Sequence, residues 1–366
     1  MRITFLLPGY MLWPSGGVRV VYEYANRLVS RGHQTRVVHP LQLKYAPTER
    51  PTVRTVLRRK FHLMLARTTR PSLGWLPIDD GVESLFVPTS DSRYIPDSDA
   101  IFATSWHTVR SVLECSSEKG EKCYLIQHYE VWQGRKDLVD ETWRAPLHKV
   151  VIAKWLMEKG KELGCRDITY VPNAINHEIY RLTRPIKNRQ RRVAMMFSTE
   201  QFKGSRDGIA ALEIARRRFP DLRAVFFSTS RRQSWVPEWV EYHRNPPQQF
   251  IVNEIFGQSS IFLSPSLSEG WGLPPAEAAA CGCAVVSTDN GGVREFLEHG
   301  VTGLLSQPGD RESLAKNICL LLSDENLRVR LAEASRGFVS RLNWDNSVDL
   351  LENFIAQVCS RCYEHS

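Results

Sequence analysis

The sequence predicts an α/β protein made of two successive doubly wound halves, each with a parallel sheet. Three observations predict it. Short apolar runs alternate with helical stretches along the first half, the signature of βαβ units. A charged, proline-bearing linker over 181–192 then interrupts the pattern. Beyond it the alternation restarts with a fresh apolar strand at 193–197. Ligands of such Rossmann-like sheets bind beyond the carboxyl ends of the strands. With two of them facing, the interdomain cleft is the expected site.

The elements follow in order. Residues 3–7 read as a strand, 8–15 as a loop, and 18–31 as a helix stopped by Gly32. A second strand is expected at 35–39, and the stretch 41–76 is irregular and basic. Further strands are expected at 84–87, 100–103, 123–127, 149–152 and 168–171, with a helix from 151 to about 164. In the second half, a helix over 207–219 and strands at 223–228 and 261–264 lead into a Gly-rich segment. That segment holds an Ala-rich helix running to Gly282, a strand at 283–287, and a Gly291-Gly292 turn expected to open another helix. The tail 344–359 is an amphipathic helix, with Val348, Leu351, Phe354, Ile355 and Val358 on its apolar side. The expected domains are 1–182, 183–344 and a C-terminal helix over 345–366.

Composition narrows the class. A chain of 366 residues that is 42% hydrophobic and 24% charged is a folded protein long enough for two cores. The apolar run at its start is too short for a signal peptide, and no stretch approaches a membrane span. Eight scattered cysteines point to reduced thiols and a cytoplasmic setting. Cys281-x-Cys283 and Cys359-x-x-Cys362 have zinc-like spacing, but no histidine completes a set, so no metal is expected. The net charge of +8 is uneven. Arg50, Arg54, Arg58, Arg59, Lys60, Arg67 and Arg70 are interleaved with apolar residues, and no acid intervenes before Asp79. Such a segment suits an anionic membrane surface, which would place the protein peripherally on the inner face of a membrane; a solvated basic helix or loop fits as well. Nucleic acid is not expected, since nothing resembles a nucleic-acid module.

The most informative segment is 264–303. Glu269 lies in a Glu-Gly-Trp-Gly turn (Gly270, Trp271, Gly272), followed by Leu273 and by Glu277 inside the Ala-rich helix. Carboxylates accept hydrogen bonds from hydroxyls, and helix N-termini beside glycines accept anions. A strand-turn-helix unit offering both suits a ligand with sugar hydroxyls at one end and phosphate at the other, a nucleotide sugar. The alternative is a helix with two solvated glutamates.

This run closely resembles the retaining nucleotide-sugar glycosyltransferases of family 4, whose hallmark is Glu-x7-Glu within Glu-Gly-Phe/Trp-Gly-Leu-Pro-x-x-Glu-Ala. The resemblance implies a GT-B fold, with an amino-terminal acceptor domain, a carboxyl-terminal donor domain and a tail helix packed back on the first. It implies that Glu269 contacts donor-sugar hydroxyls and Glu277 the ribose. Residues 171–176, Val-Pro-Asn-Ala-Ile-Asn, are similar to the family's Val-Pro-Asn-Gly-Ile/Val-Asp segment. Gly16-Gly17 matches its Gly-Gly loop, where backbone amides approach donor phosphate or acceptor. Lys203-Gly204 matches its Lys-Gly, making Lys203 the cation for the departing pyrophosphate. The family usually carries an Arg five residues earlier; here that residue is Ser198. Arg206, Arg231 and Arg232 are the available substitutes. His128 occupies the family's usual site near the reacting carbon, as a donor-sugar contact or an aid to the acceptor. His107 is expected on the acceptor side, with Glu130 orienting either histidine, and Glu295 reads as a structural cap rather than a ligand.

The reading is a metal-independent transferase, with no cofactor beyond its nucleoside-diphosphate-sugar donor and a hydroxyl acceptor of glycan, lipid-linked glycan or small-molecule type. The resemblance further implies retention of configuration, with leaving-group phosphate as proton acceptor. The rivals are an epimerase or hydrolase of the same architecture, and a non-catalytic binding partner of a transferase, to which Ser198 gives its best support.

Overall fold

A computed structural model describes residues 1–11, 13–45, 73–133 and 135–363. The basic stretch 50–70, with its expected membrane role, lies outside them. The chain divides into two compact units, 1–173 with 344–366, and 174–343.

The first unit is a seven-stranded parallel sheet in the order β3-β2-β1-β4-β5-β6-β7. Its strands are β1 (Arg2–Leu6), β2 (Gln34–Pro40), β3 (Glu83–Val87), β4 (Ala100–Ala103), β5 (Glu121–Ile126), β6 (His148–Val151) and β7 (Ile168–Tyr170). The central strands are near-continuous apolar runs because helices cover both faces of a parallel sheet; β4 is buried at every position. The helices are α1 (Gly16–Ser30), α2 (Trp106–Leu113), α3 (Lys136–Arg144) and α4 (Lys154–Glu162). The tail helix, α9 (Trp344–Tyr363), belongs to this unit. Phe354 on it packs toward Phe102 of β4, and Trp344 lies edge-on to Tyr24 of α1 at 5.3 Å. Arg31 at the end of α1 pairs with Asp349 and Glu352, and His33 Nε2 lies 2.6 Å from Glu352.

The second unit is a six-stranded parallel sheet in the order β10-β9-β8-β11-β12-β13. Its strands are β8 (Arg192–Met196), β9 (Arg223–Ser228), β10 (Val240–Arg244), β11 (Ile261–Ser264), β12 (Ala284–Thr288) and β13 (Leu304–Ser306). Its helices are α5 (Ser205–Arg218), α6 (Leu273–Ala280), α7 (Arg311–Ser323) and α8 (Glu325–Val339). A short helical turn, Gln248–Phe250, runs into a π-helix over Ile251–Phe256. One expectation fails here: the Gly291-Gly292 turn opens only a four-residue 3-10 helix, Gly292–Glu295. Phe296 leaves the helical region at φ −145° and buries its ring against Trp271, which stops the turn.

In both sheets the strand order reverses once, between β1 and β4 and between β8 and β11. Such a switch point leaves a crevice at the carboxyl ends of the two strands. Among the described residues no helix is long and apolar enough to cross a membrane.

Candidate active site

In the second unit the segments after β8 and β11 meet at the switch point. After β8 the chain makes a 3-10 turn, Gln201–Lys203, and then Gly204 in the left-handed region at φ +61°. A Cβ on Gly204 would stand 2.0 Å from the Pro265 carbonyl oxygen, so only glycine lets this turn lie on the end of β11. The Leu267 amide donates to the Phe202 carbonyl at 2.7 Å, stitching the two segments. After β12 the chain returns to the same place. The Glu269 amide donates to the Asn290 carbonyl at 3.0 Å, and Glu269 bridges Gly291 in parallel register. A Cβ on Gly292 would lie 2.6 Å from the backbone nitrogen of Trp271.

This packing brings together residues that the sequence holds far apart. Lys203 Nζ donates to both carboxylate oxygens of Glu269, at 2.8 and 2.9 Å, and Ser266 Oγ donates to one of them at 2.7 Å. Glu269 is 8% exposed and Glu277, on α6, 6% exposed. Neither is a solvated glutamate of the kind the alternative reading required. Gly270 and Trp271 are buried in the same turn, Gly272 at φ +95° caps α6, and Leu273 is its first residue. A buried carboxylate already holding a cation and a hydroxyl can exchange those donors for the hydroxyls of a ligand.

Ser198 builds the turn rather than supplying charge: its amide donates to Ser205 Oγ at 2.9 Å, and its own Oγ accepts from the Glu200 amide at 3.1 Å. Of the three arginines, Arg232 is committed to the carbonyls of Val240, Val236 and Pro237. Arg206 lies over the Trp235 ring at 4.2 Å, and Arg231 is exposed.

In the first unit, Gly16 and Gly17 are the first residues of α1, and Gln127 Nε2, just past β5, donates to the Gly17 carbonyl at 3.2 Å. His128 is flanked edge-on by Trp132 at 4.3 Å and Trp155 at 5.6 Å. His107 packs beside Trp106 at 3.9 Å. Glu130 accepts from Ser105 Oγ at 3.1 and 3.2 Å and from the Trp106 amide at 3.0 Å, so it fixes the start of α2, where His107 sits. Burial pushes its carboxyl up to about 7, against the lowering effect of those donors. Ser266, Trp132 and Trp155 were missed by sequence reasoning. The only signal for Ser266 was a hydroxyl three residues before the motif glutamate, and nothing in sequence spacing marks the two indoles. Cys283 donates to the carbonyls of Phe256 and Ser259, and burial pushes its thiol up to about 11.

These two units have the architecture of the GT-B class, the two-domain Rossmann-like fold of glycosyltransferase structures. Residues 236–338 match the family described as "Glycosyl transferases group 1". The chain is 32% identical over 106 residues to a D-inositol 3-phosphate glycosyltransferase of Corynebacterium urealyticum, covering 29% of this chain and 24% of that one. It is 38% identical over 89 residues to the N-acetyl-alpha-D-glucosaminyl L-malate synthase of Bacillus anthracis, covering 24% and 23%. The chain thus spans about a quarter of the length of the curated relatives it matches. Over nearly its whole length the fold is similar to sucrose-phosphate synthase from Thermosynechococcus elongatus (TM-score 0.73, 14% identity, 98% of this chain and 99% of that). It is similarly close to Anabaena HepE in complex with UDP (TM-score 0.72, 16% identity, 98% and 100%).

Proposed function

We propose that the chain is a retaining glycosyltransferase that moves a hexosyl or deoxyhexosyl group from a nucleoside-diphosphate sugar to a hydroxyl acceptor. The observation that carries the reading is the Lys203–Glu269 pair, held by glycine-pinned turns at the switch point of a nucleotide-binding type of sheet. Group transfer breaks the bond between the anomeric carbon and the phosphate oxygen, so negative charge grows on the pyrophosphate. A cation fixed in advance at that place lowers the barrier without reorganising during the reaction. Lys203 is such a cation, and its partner Glu269 is placed to accept from the hydroxyls of the donor sugar. Glu277, buried on α6, is the candidate for the ribose hydroxyls. Solved structures of HepE holding UDP and UDP-glucose support a nucleotide sugar as donor and make uracil the first base to test.

In this reading the first unit takes the acceptor, a glycan, lipid-linked glycan or small molecule, as in polysaccharide building. The acceptor oxygen bonds to the anomeric carbon on the face that phosphate leaves, and its proton passes to the departing phosphate oxygen. His128, packed edge-on against two indoles, is the candidate to support the reacting sugar, with His107 as the candidate on the acceptor side. No cofactor or metal is assigned beyond the donor, and the reaction belongs in the cytoplasm, where nucleotide sugars are made.

The test is release of nucleoside diphosphate from UDP-, GDP-, TDP- and ADP-sugars against a panel of hydroxyl acceptors, with proton NMR of the product anomer. Acceptor-dependent release with retained configuration is expected. Release that ignores every acceptor would indicate a hydrolase, and tight donor binding without turnover a non-catalytic protein.

A further inference from the structure

We infer that Arg206, carried on the face of Trp235, is a second cation for the donor's phosphates. The inference rests on the donor reading above and adds a residue to its site. Lys203 alone is a poor match for a diphosphate, because both oxygens of Glu269 hold its ammonium. Part of its charge is neutralised before any ligand arrives. A pyrophosphate carries more than one negative charge, so a further cation at the same place strengthens binding by charge-assisted hydrogen bonds.

The second unit offers several arginines near the carboxyl ends of its strands, and the structure separates them. Arg232 is spent on backbone carbonyls. Arg206 stands in the first turn of α5, three residues after Lys203. Its guanidinium lies 4.2 Å over the Trp235 ring, and among the described residues no carboxylate stands within ion-pair distance of it. Trp235 in turn packs at 5.1 Å against Phe197, the residue that joins β8 to Ser198. The indole therefore holds a guanidinium, with its forked donors uncommitted, beside the end of β8. Stacking on an aromatic face leaves the edge N–H groups of a guanidinium available to phosphate oxygens and reduces the rotamer freedom lost on binding.

The experiment is calorimetric binding of UDP, and of GDP, TDP and ADP, to the full chain and its variants, with uridine as the phosphate-free control. Arg206→Ala should weaken the nucleotide that wild type binds by about 10- to 100-fold while leaving nucleoside binding within about 2-fold. It should also flatten the salt dependence of binding. Trp235→Leu should give a smaller loss in the same direction, and Arg231→Ala should bind like wild type. If wild type binds and Lys203→Ala weakens binding but Arg206→Ala does not, the Arg206 inference falls and the donor reading stands. If wild type binds none of the four diphosphates, both fall.

Discussion

Lys203 Nζ stands 2.8 and 2.9 Å from the two carboxylate oxygens of Glu269, 66 residues further along the chain. The pair joins the turn after β8 to the turn after β11, and only 22% and 11% of the two side chains is exposed. Removing one partner leaves the other enclosed without its counter-charge. Lys203→Ala should therefore destabilise by about 2–3 kcal/mol in urea unfolding. Adding Glu269→Ala should cost less than the sum of the single variants, because the stranded carboxylate is removed with its partner. Strictly additive losses would mean that the two groups are not coupled.

Glycine serves turns of the second unit in two separable ways. Gly309 is left-handed at φ +83° with open space where a Cβ would go, so Gly309→Ala should cost only about 1 kcal/mol of backbone strain. Gly292 has no left-handed φ, but its added methyl would meet the Trp271 backbone at 2.6 to 2.7 Å. Gly292→Ala should then lower stability by about 2–4 kcal/mol and weaken donor binding as the Glu269 turn is pushed away. Equal melting temperatures for the two variants would contradict this packing account.

Glu130 should make the protein less stable as the solution becomes more alkaline. Burial raises its folded carboxyl to about 7 from the ordinary 4.5, so the folded state holds the proton more tightly than the unfolded chain. That contribution is complete below 4.5 and is lost as pH rises through 7, up to about 3 kcal/mol. Glu130→Gln should flatten the stability curve over that window. An unchanged slope would show that Glu130 ionises normally.

His39 works in the opposite sense. It is fully buried, its Nε2 lies 2.8 Å from the Tyr22 hydroxyl, and burial lowers its pKa from 6.5 to about 4. Its contribution is present above 6.5 and is lost as pH falls through 4, again up to about 3 kcal/mol. His39→Gln should reduce acid destabilisation measured by denaturant midpoints at pH 4 and 7. The two variants together separate opposing slopes that overlap in the native protein.

Much of the fold was legible because central parallel strands are apolar throughout and their helices repeat with a different period. The strand at 100–103 and the restart at 193–197 needed no more than that. The polar edge strand β10, Val-Glu-Tyr-His-Arg, was invisible, since an edge strand lacks a two-sided apolar signal. β13 spans three residues, too few to show any period. The short 3-10 turn after Gly291 was misjudged because the burial of Phe296 against Trp271, which ends it, is a tertiary contact. Within the site, the Glu-Gly-Trp-Gly turn marked Glu269, and the lysine-glycine pair marked Lys203. Their direct pairing, the support from Ser266, and the stacking of Arg206 on Trp235 join segments distant in sequence, so no local pattern carries them.

The most direct test of whether the second unit holds a nucleotide sugar through Lys203 and Glu277 is thermal stability of the full chain against UDP, GDP, TDP and ADP and their sugars. Ligand bound only by the folded state raises apparent stability by mass action. A shift selective for one base and absent in both Lys203→Ala and Glu277→Ala is expected. No shift with any nucleotide, or one that persists in both variants, would contradict it.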